Sequence, residues 1–257
     1  MVYHLGMIPY QRAWELQDAL AGQIAAGEHL PALLLLEHPH VFTFGRSGNP
    51  ANLLWEADEL ERRGISALWV DRGGDVTYHG PGQLIGYPLL PLAPGGVFAG
   101  ESPPGSSPSP NSLPRADLID YLRKLELVLI QVLDGYHIPA IRLEGKTGVW
   151  IPSGASGRGC PVKIASIGVK LDARGVSRHG FALNVSPDMS FWEGIIACGL
   201  AGFEAVSLAE LLHLIPDMYE VENAVKDSFA KVFHYEMVES SWVEEDLDIF
   251  MAGVKRS

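Results

Sequence analysis

The sequence predicts an α+β fold, a mixed or antiparallel sheet flanked by helices, from three observations. Short apolar or β-branched runs bounded by turn residues read as strands. Two or three longer stretches repeat their apolar residues at helical spacing. The two kinds of element do not alternate strictly, as a doubly wound parallel fold would require. The 257 residues suit one large domain or a domain with an appendage.

The first element is a helix over Gln11 to Ala26, where Trp14, Leu16, Leu20 and Ile24 recur on one side and Gly27 supplies a stop. Strands follow at Ala32 to Glu37 and Val41 to Arg46, separated by His38-Pro-His40, a turn signal. A short acidic helix from Glu56 to Arg63 ends at Gly64, and Ala67 to Asp71 reads as the next strand. Gln83 to Leu90 is another, followed by a Pro, Gly and Ser-rich segment from Ala93 to Pro114 that cannot pack a core and reads as a mobile insertion. The strongest amphipathic helix covers Asp117 to Leu133, with Leu118, Leu122, Leu125, Leu129 and Val132 on one stripe. Strands resume at Gly148 to Ile151, Lys163 to Asp172 and Gly180 to Val185, with a flexible connector from Pro152 to Pro161. The remainder reads as helical, with capping signatures at Ser207-x-x-Glu210 and Asp217-x-x-Glu220.

Composition narrows the function classes. Apolar residues are 47% and charged ones 19% of the chain, an ordinary globular balance. The longest apolar runs are far too short to span a bilayer, so no membrane association is expected. The opening Met1-Val-Tyr-His-Leu-Gly6 has neither a basic leader nor a long apolar segment, and a cytoplasmic location is the expectation. Nineteen basic against 31 acidic side chains give a net charge of −12, which disfavours nonspecific nucleic-acid binding. Two cysteines, Cys160 and Cys198, cannot build a disulfide framework, but a free thiol in a reducing compartment can act as a nucleophile.

Chemistry concentrates in three clusters. The first is Arg72-Gly-Gly-Asp-Val-Thr-Tyr-His-Gly-Pro-Gly-Gln83, lying between two predicted strands. Its four glycines let backbone approach a ligand closely. A bare Gly-Pro-Gly would be a tight turn, but Arg72, Thr77, Tyr78 and His79 beside it are more than a turn needs. The second cluster is Lys163-Ile-Ala-Ser-Ile-Gly-Val-Lys170. A lysine starting a strand is usually a solvated edge residue, whereas one held against apolar walls becomes a usable base. The third is Arg178-His-Gly-Phe-Ala-Leu-Asn184, with Ala197-Cys198-Gly199 downstream. A cysteine in an apolar segment is most often inert core, but Gly199 leaves room for a substrate to reach the sulfur. His38, His40, His79 and His179 invite a metal reading, yet no third ligand stands at recognisable spacing, and no metal is expected. No phosphate-loop or dinucleotide fingerprint is present, and no cofactor is expected.

Taken in order and spacing, these clusters resemble the octanoyltransferase family of lipoate biosynthesis. Leu33-Leu-Leu-Leu-Glu-His-Pro39 and Phe44-Gly-Arg46 look like that family's opening strands, so the likeness spans Leu33 to Gly199. It departs at Ala197, where the family usually has proline, and in the Pro/Ser-rich segments at 93 to 114 and 152 to 161. Residues beyond Phe203 match none of its motifs, so an acyltransferase domain over 1–203 is expected to carry a helical extension, 204–257, packed on the same domain.

The resemblance implies a fold like the catalytic domain of biotin and lipoate protein ligases. It also implies an octanoyl group moved from octanoyl-acyl carrier protein to a lysine through a Cys198 thioester, with Lys163 as acid/base. Arg72, Gly73, Gly74, Asp75, Val76, Thr77, Tyr78 and His79, with Ser166, Ile167, Gly168, Gly180, Phe181 and Ala182, would line the substrate pocket. The acceptors would be lipoyl domains of 2-oxoacid dehydrogenase complexes and the glycine cleavage H protein, and the enzyme a monomer. Acidic partners sit awkwardly with the net charge, so Arg46, Arg72, Lys146, Lys170, Arg174 and Arg178 are expected to form a local basic patch. The alternatives are an ATP-dependent lipoate or biotin-type ligase and a non-catalytic acyl-binding protein on the same scaffold.

Overall fold

A computed structural model of the chain describes residues 1–92, 115–197, 204–240 and 250. In chain order its strands are β1 Val2–Met7, β2 Ala32–Glu37, β3 Val41–Phe44, β4 Ser66–Trp69, β5 Val76–His79, β6 Gln83–Leu89, β7 Ile141–Leu143, β8 Lys146–Ile151, β9 Val162–Leu171, β10 Ser177–Asn184 and β11 Glu239–Ser240. The helices are α1 Tyr10–Ala26, α2 Ala57–Arg62, α3 Arg115–Gly135, α4 Ser153–Ser156, α5 Leu208–Leu212 and α6 Met218–Phe233.

Eight strands form one sheet in the order β11-β1-β2-β6-β10-β9-β8-β7, and β4-β3-β5 form a second, smaller sheet. β1 pairs in parallel with β2 and β11, while the rest of the large sheet is antiparallel. The expected mixed sheet flanked by helices is what the chain builds, and each face of the large sheet has its own cover. On one face α3 and α6 pack through Tyr121, Leu125, Leu129, Val225 and Phe229 onto Leu84, Ile164, Phe181 and Leu183. On the other, α1 lays Ala13, Leu16, Leu20 and Ile24 on Leu34, Leu36, Ile85 and Ala182. A fully buried leucine contributes roughly 2 kcal/mol by leaving water, so these two layers dominate stability.

The predicted elements reappear with ends moved by at most three residues, and the structure adds β1, β5, β7, β11 and the short α4, which lies in the connector expected to be flexible. The Gly27 stop is real, with a left-handed φ of 74° and an amide returning to Gln23 and Ile24 carbonyls. Ser207 and Glu210 form the complete capping box that opens α5, and Asp217 caps α6 through its own carboxylate. α6 lies in the same core as α3, so packing makes no break near residue 203. The 93–114 insertion lies outside the described residues. No helix among those described is long and apolar enough to cross a membrane.

β9 carries the local feature that matters most for the site. Opposite β8, Val149 pairs with Ala165 but Trp150 pairs with Lys163, so β9 has one residue too many at this point, a β-bulge. The bulge reverses the alternation of the strand. Val162 and Ile164 face the α3/α6 core before it, and Ala165, Ile167, Val169 and Leu171 do so after it. Lys163 is thereby put on the face carrying Ser166, Gly168 and Lys170, where unbroken alternation would have sent it into the core.

Candidate active site

One cavity gathers residues from all three clusters. It is lined by Arg72 to Thr77 and His79, by Lys163, Ser166, Ile167 and Gly168, and by Gly180, Phe181 and Ala182. Beside it opens a wider cleft of about 590 Å³, walled by Leu118 and Leu122 of α3, Trp150 of β8, and Ile167 and Val169 of β9. That volume lies in the usual range of ligand sites, roughly 300–1,000 Å³. Gly73, Gly74, Asp75, Lys163, Ile167 and Gly168 line both spaces, so the two meet at Lys163.

The Gly-rich segment is held by its own polar side chains. Arg72 is buried and donates to the Thr43 hydroxyl, the Thr43 carbonyl at 2.5 Å and the Gly73 carbonyl at 2.9 Å. The Asp75 carboxylate accepts from the Asn49 amide at 2.9 Å, the Val76 amide at 2.7 Å and the Asn52 side chain. Both side chains therefore fasten the loop, and what they offer the cavity is chiefly backbone. Gly45 is required for this closeness, since a Cβ there would stand 2.3 Å from the Gly74 carbonyl. Past the loop β5 alternates. His79 and Thr77 line the cavity, and the Thr77 hydroxyl is buried without a hydrogen-bond partner. Tyr78 is a correction to the expected set: its ring stacks on Phe191 in a separate aromatic cluster and does not line the cavity, because strand alternation turns it to the opposite face.

The floor between β6, β10 and β9 is nearly bare of side chains. Gly180 pairs with Gly168, and a Cβ on Gly180 would stand 2.0 Å from the Gly86 carbonyl. Behind this floor lies a hydrogen-bonded set of histidines and tyrosines, of which sequence reading placed only His79 in the site. Tyr10, Tyr87 and His179 line the cavity. His38 Nδ1 donates to the Ile8 carbonyl at 2.6 Å, so its Nε2 accepts from the Tyr87 hydroxyl at 2.8 Å. His179 Nε2 donates to Asp71 at 2.6 Å, which leaves Nδ1 to accept from Tyr10. His79 Nδ1 donates to Gln83, whose amide donates on to Asn184. Burial lowers His38 to about 4 and holds His79 well below the ordinary value, helped there by His38 and Arg72. His179 is lowered by burial too, against the opposite pull of Asp71. Burial raises Tyr10 to about 12. The wall is therefore polar but uncharged near neutral pH. His38 was legible only as half of a His-x-His pair; in the fold it turns inward while His40 stacks on Phe191. Among the described residues no cluster of His, Cys, Asp or Glu could hold a metal ion.

The expected basic patch does not form as a free cationic surface. Lys170 and Arg178 bind Asp71, each at 2.5 Å; Arg174 binds Asp18 and Asp172; and Arg72 is interior. Arg46 and Lys146 are the exposed members of the six without a described acidic partner. Lys163 is 5% exposed, its ammonium 5.3 Å from the centre of the Trp150 ring. Its backbone is clamped by the returning chain: its amide donates to the Glu204 carbonyl and its carbonyl accepts from the Val206 amide, each at 2.9 Å. Cys198 lies outside the described residues. The chain before it is anchored by the Ile196 amide on Asn52, with Ala197 buried, and Cys160 is exposed on the connector.

The lipoyl protein ligase A/B catalytic domain model matches residues 9–102 and 106–230. An octanoyltransferase of Chloroflexus aggregans is 42% identical over 232 residues, covering 90% of this chain and 94% of that protein. One from Solibacter usitatus is also 42% identical, covering 91% and 93%. Among solved structures, a lipoate-protein ligase A bound with ATP superposes with a TM-score of 0.69 at 15% identity, over 99% of this chain and 94% of that one. A lipoate protein ligase of Thermoplasma acidophilum with bound lipoic acid gives 0.68 at 16%, over 99% and 94%. At such identities the structural likeness concerns the fold.

Proposed function

This chain belongs to the octanoyltransferases of the lipoyl protein ligase A/B catalytic-domain family, and on that premise we propose that it transfers an octanoyl group from octanoyl-acyl carrier protein to a lysine of a lipoyl domain through Cys198. The observation that carries the reading is the meeting of two cavities at one buried lysine, with segments from all three sequence clusters around it.

In the first half-reaction the Cys198 thiolate attacks the donor's thioester carbonyl. The new C–S bond forms, the bond to the carrier's thiol breaks, and that thiol leaves with a proton. A cysteine thiol with an ordinary pKa of about 8.5 is mostly protonated at neutrality, so a neighbouring base is needed. Lys163 fills that role, taking the thiol proton and returning one to the leaving sulfur. In the second half-reaction the acceptor lysine's amine attacks the enzyme thioester, an amide forms, and Cys198 leaves as thiolate while Lys163 takes the amine's proton. Thioester exchange is nearly thermoneutral and amide formation is downhill, so the enzyme's work is positioning and oxyanion stabilisation. The wider cleft walled by Leu118, Leu122, Trp150, Ile167 and Val169 offers apolar space for the acyl chain, and the unpartnered Thr77 hydroxyl suits a polar substrate atom.

Intact-mass analysis after mixing with octanoyl carrier protein tests the reading. The wild-type chain and Cys160→Ser are expected to gain one octanoyl group and Cys198→Ser none. Adduct that persists in Cys198→Ser and vanishes in Cys160→Ser assigns the wrong thiol here. ATP-dependent pyrophosphate release with free octanoate would instead favour a ligase.

A further inference from the structure

Glu126 has no part in any motif and no contact with the cavity, yet its side chain is completely buried in the middle of α3. Burying a carboxylate costs several kcal/mol unless every oxygen is satisfied. Here Oε2 accepts from Arg123 at 2.6 Å and is ion-paired with Arg142 at 3.1 Å, and Oε1 accepts from the backbone amide of Gly148 at 3.1 Å. The two arginines are each about two-fifths exposed, so they neutralise the charge from the rim. The inward contact is the one to Gly148.

Gly148 sits in β8 directly beside the bulge of β9, with a φ of 115° that L side chains rarely adopt. A Cβ built there would stand 2.5 Å from Lys163 Cε, 2.6 Å from the Ala165 carbonyl and 3.3 Å from Lys163 Nζ. The space a side chain would fill is the space in which the end of Lys163 lies. The bulge aims Lys163 at this slot, Trp150 lies near its ammonium, and the Glu126 carboxylate fixes the backbone that forms the slot.

We propose that Glu126 and Gly148 together position Lys163, the carboxylate holding the glycine's backbone so that the lysine's terminal atoms rest where a side chain would otherwise be. The inference rests on the proton-transfer role of Lys163 given above. Neither residue touches reacting atoms; both act through the lysine. Misplacing a reacting group by about 1 Å can cost as much as 100-fold in rate.

The test uses the full chain with octanoyl carrier protein and a lipoyl domain. Gly148→Ala and Glu126→Met are each expected to lower kcat about 10- to 100-fold with KM for both protein substrates within about twofold. Glu126→Gln keeps an acceptor for the Gly148 amide and is expected to restore most of the rate. Gly148→Ala is also expected to lower Tm, and to lower it less when Lys163→Ala removes the colliding Cε. That coupling is read without any activity. Wild-type kcat in Gly148→Ala and Glu126→Met, alongside an inactive Lys163→Ala, overturns the positioning inference alone. Full activity in Lys163→Ala overturns the proton-transfer reading, and the Tm coupling still decides the geometry. Should Gly148→Ala fail to fold, the contrast between Glu126→Met and Glu126→Gln decides; equal rates in those two overturn it.

Discussion

Lys163 and Lys170 stand on the same face of one strand, yet the fold treats them oppositely. Lys170 is part of an ion-pair knot in which Asp71 also receives Arg178 and His179. Burial pushes the Asp71 carboxyl up, but the hydrogen bonds from His179 and Lys170 outweigh it and hold it well below the carboxylate range. Lys163 is nearly sealed, laid over a glycine and a tryptophan at the junction of two cavities. Lys170 lines neither cavity, whereas Lys163 lines both. Residue type thus says little about role, and the immediate walls say most.

The sharpest way to break this contrast is to truncate both lysines. Lys163→Ala is expected to lower the transfer rate by about 10²- to 10⁴-fold, the usual worth of a general acid/base. Lys170→Ala should stay within about threefold in the same carrier-to-lipoyl-domain assay, because Arg178 and His179 still satisfy Asp71. Comparable losses would abolish the distinction.

Acid titration probes the histidine wall that joins the Asp71 knot to the cavity. His38, His79 and His179 all have folded-state values below the ordinary histidine value. The unfolded chain therefore takes up protons first, and stability falls as pH drops below about 6.5. For His38 the loss continues to about 4, where the folded form also protonates; it amounts to roughly 3 kcal/mol at most. Thermal melts across this range should show a steep decline, flattened in His38→Gln. A variant that declines as steeply as the wild type would remove His38 from the account.

Asp71→Asn separates architecture from chemistry. It leaves Arg178 and Lys170 poorly neutralised and weakens the acceptor for His179, and because the carboxylate is partly exposed the expected cost is about 1–3 kcal/mol, below that of a fully buried pair. A lowered Tm with kcat within about fivefold is the expected pair of results. The smallest effect belongs to Ser207→Ala. Ser207 follows Val206, whose amide holds the Lys163 carbonyl, but its own work is to cap α5. A cost of about 1 kcal/mol without change in kcat is expected; a large loss of rate would mean that the clamp on Lys163 depends on the cap.

Much of the frame was legible along the chain. Amphipathic stripes announced α1 and α3, and the Ser207 and Asp217 signatures announced the starts of α5 and α6, because each rests on contacts within a turn or two. β1 and β5 were not read. Val2–Met7 is a strand only because β2 and β11 lie alongside it, and Val76–His79 was hidden among glycines. Of the expected cavity set outside Cys198, Tyr78 alone was misplaced, since its neighbours gave no sign of which face β5 would bury. Tyr10, Tyr87 and His179 lay outside the expected set, and Glu126 looked like one more polar residue on a helix.

What the sequence by itself determined is the kind of element at most positions, the family, and the short list of side chains able to do chemistry. Tertiary structure alone decided which of those side chains share a space. Helical stripes, caps and motif spacings are set by near neighbours along the chain. Which way Lys163 points depends on a one-residue slip between β8 and β9, and whether it has room depends on a carboxylate from α3. Those are matters of register and packing between distant segments, where a shift of a single residue exchanges core for cavity.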